Sequence, residues 1–451
     1  MQGVSWLIKR FDDFSNDDAL IWKDKAYSYR WLKEHVFYWK RLIKDKEVKK
    51  GDIVGFSSDY SPQACALLLA LLDNANIAVP LPPVLRNEQK RFLEITGAQK
   101  LFVLNAKGGF ELKKYRAKKI HPLINLLRKS KSPGVIIFTS GSTGEPKAIL
   151  HNGNKLFKKY IVKKKKLCTI PFLFLDHIGG LNTLFYTLSS GGKLVMLQDR
   201  HPEAVCRAIA KHRVELLPVS PSFLNLLLIS NAYKKYNLKS LKIISYGTEV
   251  MPEYTLERLN KLFPNTRLIQ TYGLSELGIV SSKSKDSSSP WMRVGGDGFK
   301  TRIIKDELWV KSDFSMLGYL NAPNPFKRSG WLNTHDIVKH EDGYIKVLGR
   351  RSELINVGGQ KVNPAEVESV ILKLDDIKDV AVFGEKNQLL GNMVVARVQL
   401  KENTQKKQEE FKSKVRLFCR EELPLFKIPT KLYFSDKDQF NYRFKKIRRN
   451  I

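Results

Sequence analysis

Between Gly51 and Thr271, short β-prone apolar runs alternate with longer stretches of helical character. The alternation predicts strands at Ile53–Phe56, Ile77–Val79, Leu101–Leu104, Val135–Phe138, Lys193–Leu197, Glu215–Val219, Ile243–Tyr246 and Leu268–Thr271. It predicts helices over Ser61–Leu72, Pro202–Arg213, Pro221–Ile229 and Pro252–Phe263. Each carries proline in its first turn, where no intrahelical N–H bond is lost and the fixed φ suits a helix start. Strands separated by helices imply an α/β fold of layered, largely parallel sheets, with two such units in succession. The longest apolar run, Ala64–Leu72, is far shorter than the roughly 20 residues that span a bilayer, and reads as one buried helix.

Beyond Ser281 the texture changes. Ser281–Pro290 is polar and loop-like, and the β-prone runs Glu307–Val310 and Tyr344–Leu348 are set off by turns at Asp297-Gly298 and Asp342-Gly343. A small β-rich subdomain is expected there. From Arg351 a separate α+β unit follows, with a strand, a helix at Pro364–Leu374, strands at Val380–Phe383 and Met393–Leu400, a helix at Gln408–Glu422 and a basic tail. The expected domains are therefore 1–350 and 351–451.

Composition narrows the picture. With 43% apolar and 10% aromatic residues in 451, a disordered chain is excluded. Cys65, Cys168, Cys206 and Cys419 form neither CxxC pairs nor a disulfide framework, so free thiols in a reducing compartment are expected. Met1–Asp13 lacks the charged and then apolar pattern of a secretion signal, which leads to the expectation of a cytoplasmic protein. Charge is the outlier, since 78 Lys and Arg against 45 Asp and Glu give +33. Such an excess suits anionic partners such as nucleic acid, an acidic membrane or a phosphorylated ligand. Because it is spread along the chain, it also fits a solvated lysine-rich surface.

The most informative stretch is Val135–Ala148, VIIFTSGSTGEPKA. An apolar strand runs into Thr139, Ser140, Gly141, Ser142, Thr143 and Gly144, and Lys147 follows. Small residues let backbone N–H groups turn inward as an anion nest, hydroxyls add donors, and the lysine adds a point charge. The spacing is not that of a Walker A loop, because Glu145-Pro146 separate the last glycine from the lysine.

Together with four further segments, this stretch resembles the adenylate-forming superfamily of acyl- and aryl-CoA synthetases, nonribosomal adenylation domains and beetle luciferases. In pattern it is closest to bacterial acyl-CoA synthetases and acyl-AMP ligases. The segments are Gln270–Leu277 (QTYGLSEL), Trp331–Val338 (WLNTHDIV), Gly349–Glu368 (GRRSELINVGGQKVNPAEVE) and Phe444–Arg449 (FKKIRR), in the family's order and spacing. The resemblance implies a large α/β adenylation core, a mobile C-terminal lid, and the substrates ATP, a carboxylic acid and CoA. The carboxylate would attack the α-phosphate, pyrophosphate would leave, and the acyl-adenylate would then pass to a thiol. The alternative acceptor is a separate phosphopantetheinyl carrier protein. A more distant reading, prompted by the lysine patches Lys113–Lys119 and Lys158–Lys166, is a nucleic-acid-binding protein with vestigial motifs, but these lack interleaved stacking aromatics.

Carried over residue by residue, the resemblance places the β- and γ-phosphates on Thr139–Gly144 and Lys147. Glu276, with Thr143, would hold Mg²⁺, a hard cation that prefers oxygen. Gly247, Thr248, Glu249, Thr271, Tyr272, Gly273 and Ser275 would line the nucleotide, with adenine against the Tyr272 ring. Asp336 would accept from the ribose hydroxyls, Arg350 would add a ribose or phosphate contact, and Lys446 would bridge the carboxylate and α-phosphate. Read alone, Tyr272 could be a core aromatic, Glu276 a helix N-terminal acid, Asp336 a turn residue, and Lys446 a solvated member of a basic tail.

The segment Pro171–Gly192 matches the family's acyl-pocket helix, with His177 near the carboxylate as gate or structural residue. Gly179, Thr183, Tyr246, Gly247 and Thr271 are the expected pocket walls. The mostly apolar surroundings favour an acid with a hydrophobic body, and so a place in fatty acid metabolism. Ser352 falls at the hinge, and Gly358 and Gly359 where a pantetheine arm would pass. Four positions depart from the family pattern: Ala148 follows Lys147, His335 precedes Asp336, Ser275 replaces threonine, and Lys445 stands where glycine usually precedes the catalytic lysine.

Overall fold

The structure is a computed structural model and describes residues 3–116, 120–140 and 145–448. Two seven-stranded sheets form the body. In the first, strands order as Arg267–Gln270, Ile243–Tyr246, Leu216–Val219, Cys168–Thr169, Lys193–Met196, Asp18–Trp22 and Lys25–Ser28, all parallel except the last pair. In the second they order as Gly318–Tyr319, Pro146–Asn152, Gly134–Ser140, Ile77–Leu81, Ile53–Ser57, Lys100–Leu104 and Phe110–Lys114. The expected α/β layering holds, with each sheet built on its own parallel centre.

The helix Pro62–Asp73 packs in the main core, with ten of its twelve residues buried. Ser61 caps it by accepting from Ala64 N–H, and the proline at its start leaves no orphan donor. Beside it runs Tyr29–Asp45, which buries Tyr29, Leu32, Val36, Trp39 and Ile43 at helical spacing. At Glu253–Leu262 the helix starts one residue later than expected, since Pro252 is its N-cap.

A six-stranded antiparallel sheet follows, from Ser282–Ser284 to Tyr344–Arg350, as expected of the β-rich subdomain. After Arg350 the chain turns and enters a separate five-stranded sheet, Ile355–Phe434, covered by the helices Pro364–Ile371 and Gln405–Glu422. Among the described residues, no helix is long and apolar enough to cross a membrane. All four cysteines are buried free thiols.

Candidate active site

The phosphate-binding segment forms a β-hairpin. Gly134–Ser140 and Pro146–Asn152 pair antiparallel with Thr139 opposite Lys147. Gly141, Ser142, Thr143 and Gly144 lie outside the described residues. The ammonium of Lys147 stands 5.3 Å from the Tyr319 ring centroid, and the Tyr319 hydroxyl donates to Glu276 Oε1 at 2.6 Å. Lys147 and Glu276 thus face one another across a single tyrosine. Glu276 retains lone pairs beyond that bond, which fits one carboxylate ligand of a hard cation whose other ligands come from phosphates and water.

Asp336 is reached from another direction. Strands Leu332–Glu341 and Tyr344–Arg350 pair so that Asp336 sits opposite Arg350, whose Nε lies 3.6 Å from Asp336 Oδ1. Tyr272 donates its hydroxyl to Asp336 Oδ2 at 2.5 Å. Burial pushes the Asp336 carboxyl upward, and Arg350, Tyr272 and His335 oppose that shift. Arg350 is in turn held charged by Asp336 and Glu276. Lys147, Glu276, Tyr272, Asp336 and Arg350 therefore converge from three sheets on one region. His335, where the family pattern has glycine, adopts φ +58° just before Asp336, a left-handed conformation that glycine takes more easily.

The opposite wall begins at Ile243–Tyr246 and the loop after it. Thr248 has φ +74°, an outlier for a β-branched residue and a mark of a strained loop. Gly247 has no room for a side chain, since a Cβ would lie 2.6 Å from the Thr271 carbonyl. Gly273 is confined in the same way by the Gly278 carbonyl at 2.9 Å. Ser275 offers its carbonyl to His151 Nε2 at 2.8 Å. Two expectations are corrected here. Tyr246 is 1% exposed and packed in a core cluster, so it offers almost no surface as a pocket wall. Glu249 is occupied by protein partners: Oε2 accepts from the Ser222 hydroxyl at 2.6 Å, and Oε1 from Lys446 N–H.

His177 caps the helix Ile178–Ser189, its Nδ1 accepting from Gly179 N–H at 3.0 Å. Burial holds its pKa well below the ordinary range, with Lys445 and Arg443 adding to the shift, so the imidazole is neutral and Nε2 carries the proton. Thr183 turns its hydroxyl back to the Gly179 carbonyl. At Gly180 a Cβ would collide with the Phe174 carbonyl, so the chain before this helix fits only glycine there.

The C-terminal tail closes over this region and places its two adjacent lysines differently. Asn441 Oδ1 accepts from Arg443 N–H and Lys445 N–H, folding a tight turn in which Phe444 has φ +54°. The left-handed residue that a glycine would normally fill is therefore Phe444, and the lysine after the turn is Lys445. Lys446 instead binds Asp379 of the C-terminal sheet at 2.5 Å, with both side chains about a tenth exposed. In this structure Lys446 is thus held in an ion pair with the C-terminal sheet. Lys445 has no carboxylate within ion-pairing distance among the described residues, and its charge acts on His177. Loss of water around it, with Arg443 alongside, pulls its pKa down to about 8.

The same tail brings a second cation that sequence reasoning missed. Arg443 pairs with Asp176, the residue before His177, and donates to the Phe138 carbonyl at 3.2 Å. The Phe444 ring lodges between Phe172 and Phe223 of the large domain, with centroids 5.0 and 5.9 Å away. Its carbonyl accepts from Ser220 Oγ at 2.7 Å. Arg448 is held by Glu368 of the C-terminal domain. Ser352 lies exposed in the turn between the last strand of the large domain and the first of the small one. Gly358 and Gly359, both at positive φ, make a two-residue hairpin turn with Val357 opposite Gln360.

A layered α/β body whose nucleotide-facing groups lie under a small α+β domain is the architecture of an adenylate-forming ligase. Residues 9–320 match the AMP-binding enzyme family and residues 366–440 the AMP-binding enzyme C-terminal domain, so the chain belongs to the AMP-binding enzyme family of AMP-forming acid–thiol ligases. It is 28% identical to a 2-succinylbenzoate–CoA ligase of Bacillus pumilus, over 97% of this chain and 95% of that protein. It is 27% identical to a long-chain-fatty-acid–CoA ligase of Bacillus subtilis, over 65% of this chain and 57% of that one. Its fold is shared with the anthranilate CoA ligase AuaEII in complex with anthranoyl-AMP, at a TM-score of 0.83 and 18% identity over 99% and 96% of the two chains. The o-succinylbenzoate CoA synthetase of Bacillus subtilis superposes with a TM-score of 0.77 at 22% identity, over 98% and 96%.

Proposed function

We propose that this enzyme joins a carboxylic acid to ATP and then to CoA. A carboxylate oxygen attacks the α-phosphorus, the bond to the bridging oxygen of the β-phosphate breaks, and pyrophosphate leaves. The CoA thiol then attacks the acyl carbon and displaces AMP. The observation that carries this reading is the convergence of Lys147, Glu276, Asp336 and Arg350 beneath a tail that delivers Lys445 and Arg443. Two anions must meet in such a reaction, and fixed cations there offset charge that water would otherwise have to reorganise around.

In this reading Lys147 and the adjoining hairpin turn hold the outer phosphates, while Asp336, kept in place by Tyr272, accepts from the ribose. Lys445 bridges the attacking carboxylate and the α-phosphate. Neutral His177 offers an N–H at the acid's carboxylate without adding charge. Glu276 would be one ligand of a bound Mg²⁺, a hard cation that would supply positive charge beside the leaving pyrophosphate. The small domain then swings about Ser352, bringing the Gly358-Gly359 turn toward the adenylate, where the absence of side chains leaves room for pantetheine. An acyl carrier protein remains the alternative acceptor. Within the lysine patches, Lys163 pairs with Asp13, Lys166 with Asp17 and Lys113 with Glu111.

The reading is tested by exchange of labelled pyrophosphate into ATP across a panel of carboxylic acids. Acid-dependent exchange is expected, followed by a thioester when CoA is added. Absence of exchange with every acid refutes the proposal. A thioester formed on a phosphopantetheinylated carrier and not on CoA selects the alternative acceptor.

A further inference from the structure

Asp176 is a buried carboxylate to which the proposed reaction gives no role. It precedes His177 in a turn closed by His177 N–H, which donates to the Phe174 carbonyl at 3.0 Å, and its side chain is only 2% exposed. Its Oδ2 accepts from Arg443 Nη2 of the tail, and the same nitrogen donates to the Phe138 carbonyl at 3.2 Å. Phe138 lies on the strand Gly134–Ser140 of the phosphate-binding hairpin, immediately before Thr139. One guanidinium therefore joins three parts that are distant in sequence: the turn beside His177, the phosphate hairpin and the tail that carries Lys445. Burial opposes the charge on Arg443, and Asp176 and Tyr442 outweigh it.

The other contacts of the tail with the large domain are of a different kind. Phe444 packs among aromatic rings, and its carbonyl accepts from a serine hydroxyl. The Asp176 pair is charged and directional. Among the described residues Asp176 Oδ1 is buried without a partner, so Arg443 supplies the one hydrogen bond this carboxylate receives. A buried pair adds little net stability, because desolvating both charges nearly offsets their attraction, yet removing one partner strands the other. Across an interface that opens, that asymmetry selects a position. The charges are matched only where the tail meets both walls, and each regains water when the tail leaves.

We propose that Asp176 is a positioning residue for the adenylation step alone: through Arg443 it fixes the tail in the register that places Lys445 beside His177, and it has no part in thiol transfer. This rests on the reading of the tail as part of a lid that closes for the first half-reaction and leaves for the second. Asp176 acts on the reacting atoms only through the tail, and it makes and breaks no covalent bond.

The test uses Asp176→Asn, which keeps the side chain's shape and leaves Arg443 unmatched whenever the tail docks. Amide hydrogen exchange of the full chain, without substrates, gives the first readout. Lys446 N–H donates to Glu249 and Ile447 N–H to the Gln439 carbonyl. Both should exchange about a hundredfold faster in the variant, with the helix Ile178–Ser189 as protected as before. The double variant Asp176→Asn, Arg443→Gln strands no charge and should regain most of the tail's protection. The second readout separates the half-reactions, using the panel acid that the intact enzyme exchanges fastest. Pyrophosphate exchange should fall about a hundredfold in Asp176→Asn. Thioester formation from the chemically prepared adenylate of that acid, with CoA or the phosphopantetheinylated carrier, whichever the intact enzyme accepts, should stay within about threefold of the intact enzyme's rate. A merely structural aspartate would loosen the helix together with the tail and depress both half-reactions alike. That result, or unchanged tail protection, would overturn the inference and leave the adenylation reading standing. No pyrophosphate exchange by the intact enzyme with any acid would overturn the adenylation reading, and the role given to Asp176 with it.

Discussion

The two adjacent lysines of the tail make a sharp test, because the structure assigns them unlike tasks. On the proposed reading, removing Lys445 takes a positive charge from the point where carboxylate and α-phosphate meet. A unit charge about 4 Å from the developing charge, at an effective dielectric near 20, is worth about 4 kcal/mol. At 1.36 kcal/mol per decade, Lys445→Ala should slow adenylation by about a thousandfold. Lys446→Ala leaves that point untouched but strands a buried Asp379, and breaking such a pair destabilises by about 3–5 kcal/mol. Its expected phenotype is a lower melting temperature, with pyrophosphate exchange near wild type in the cold. pH adds a second readout. Lys445 loses its proton as pH rises through about 8, so kcat/KM for exchange should fall above that value. Lys445→Arg, which stays charged, should extend the plateau. The assay is pyrophosphate exchange at saturating acid, paired with thermal melts. Normal exchange in Lys445→Ala together with its loss in a folded Lys446→Ala would refute the assignment.

Three further outcomes are expected. His151 is buried and neutral with its pKa drawn down to about 4, so stability present above pH 6.5 is lost as pH falls toward 4. The loss is about 3 kcal/mol, and urea midpoints at pH 7 and 4.5 should show that part of the slope vanishing in His151→Gln. Gly180→Ala should destabilise by at least about 2 kcal/mol, read from urea unfolding, because its Cβ meets a fixed backbone carbonyl rather than a movable side chain. Tyr272→Phe removes one bond to the Asp336 carboxylate and should raise KM for ATP about tenfold with little change in the melting temperature.

Much of the parallel sheets was readable because several strands are short apolar runs beside a proline-started helix, as at Ile243–Tyr246 and Pro221–Ser230. The strand Pro146–Asn152 was not anticipated, since proline, lysine, histidine and asparagine dilute its apolar signal. Its place comes from pairing with Gly134–Ser140, a tertiary fact. The placing of the two tail lysines was not legible for a similar reason. The run KIRR favoured Lys446, whereas the turn is set by Asn441 and by an aromatic residue held at φ +54°, where propensity argues for glycine. Phe444 tolerates that backbone because its ring is packed against Phe172 and Phe223.

The tail is gripped differently at its two ends. Arg443 and Phe444 hold the large domain, whereas the Lys446 and Arg448 side chains are anchored to the small one. Any departure of the small domain must uproot the first pair and can spare the second. Arg443 and Lys445 then withdraw as a unit, and the vacated chamber becomes more negative by two charges at a stroke. An anionic product left behind would find itself among fewer cations, so lid opening and product expulsion become one electrostatic event.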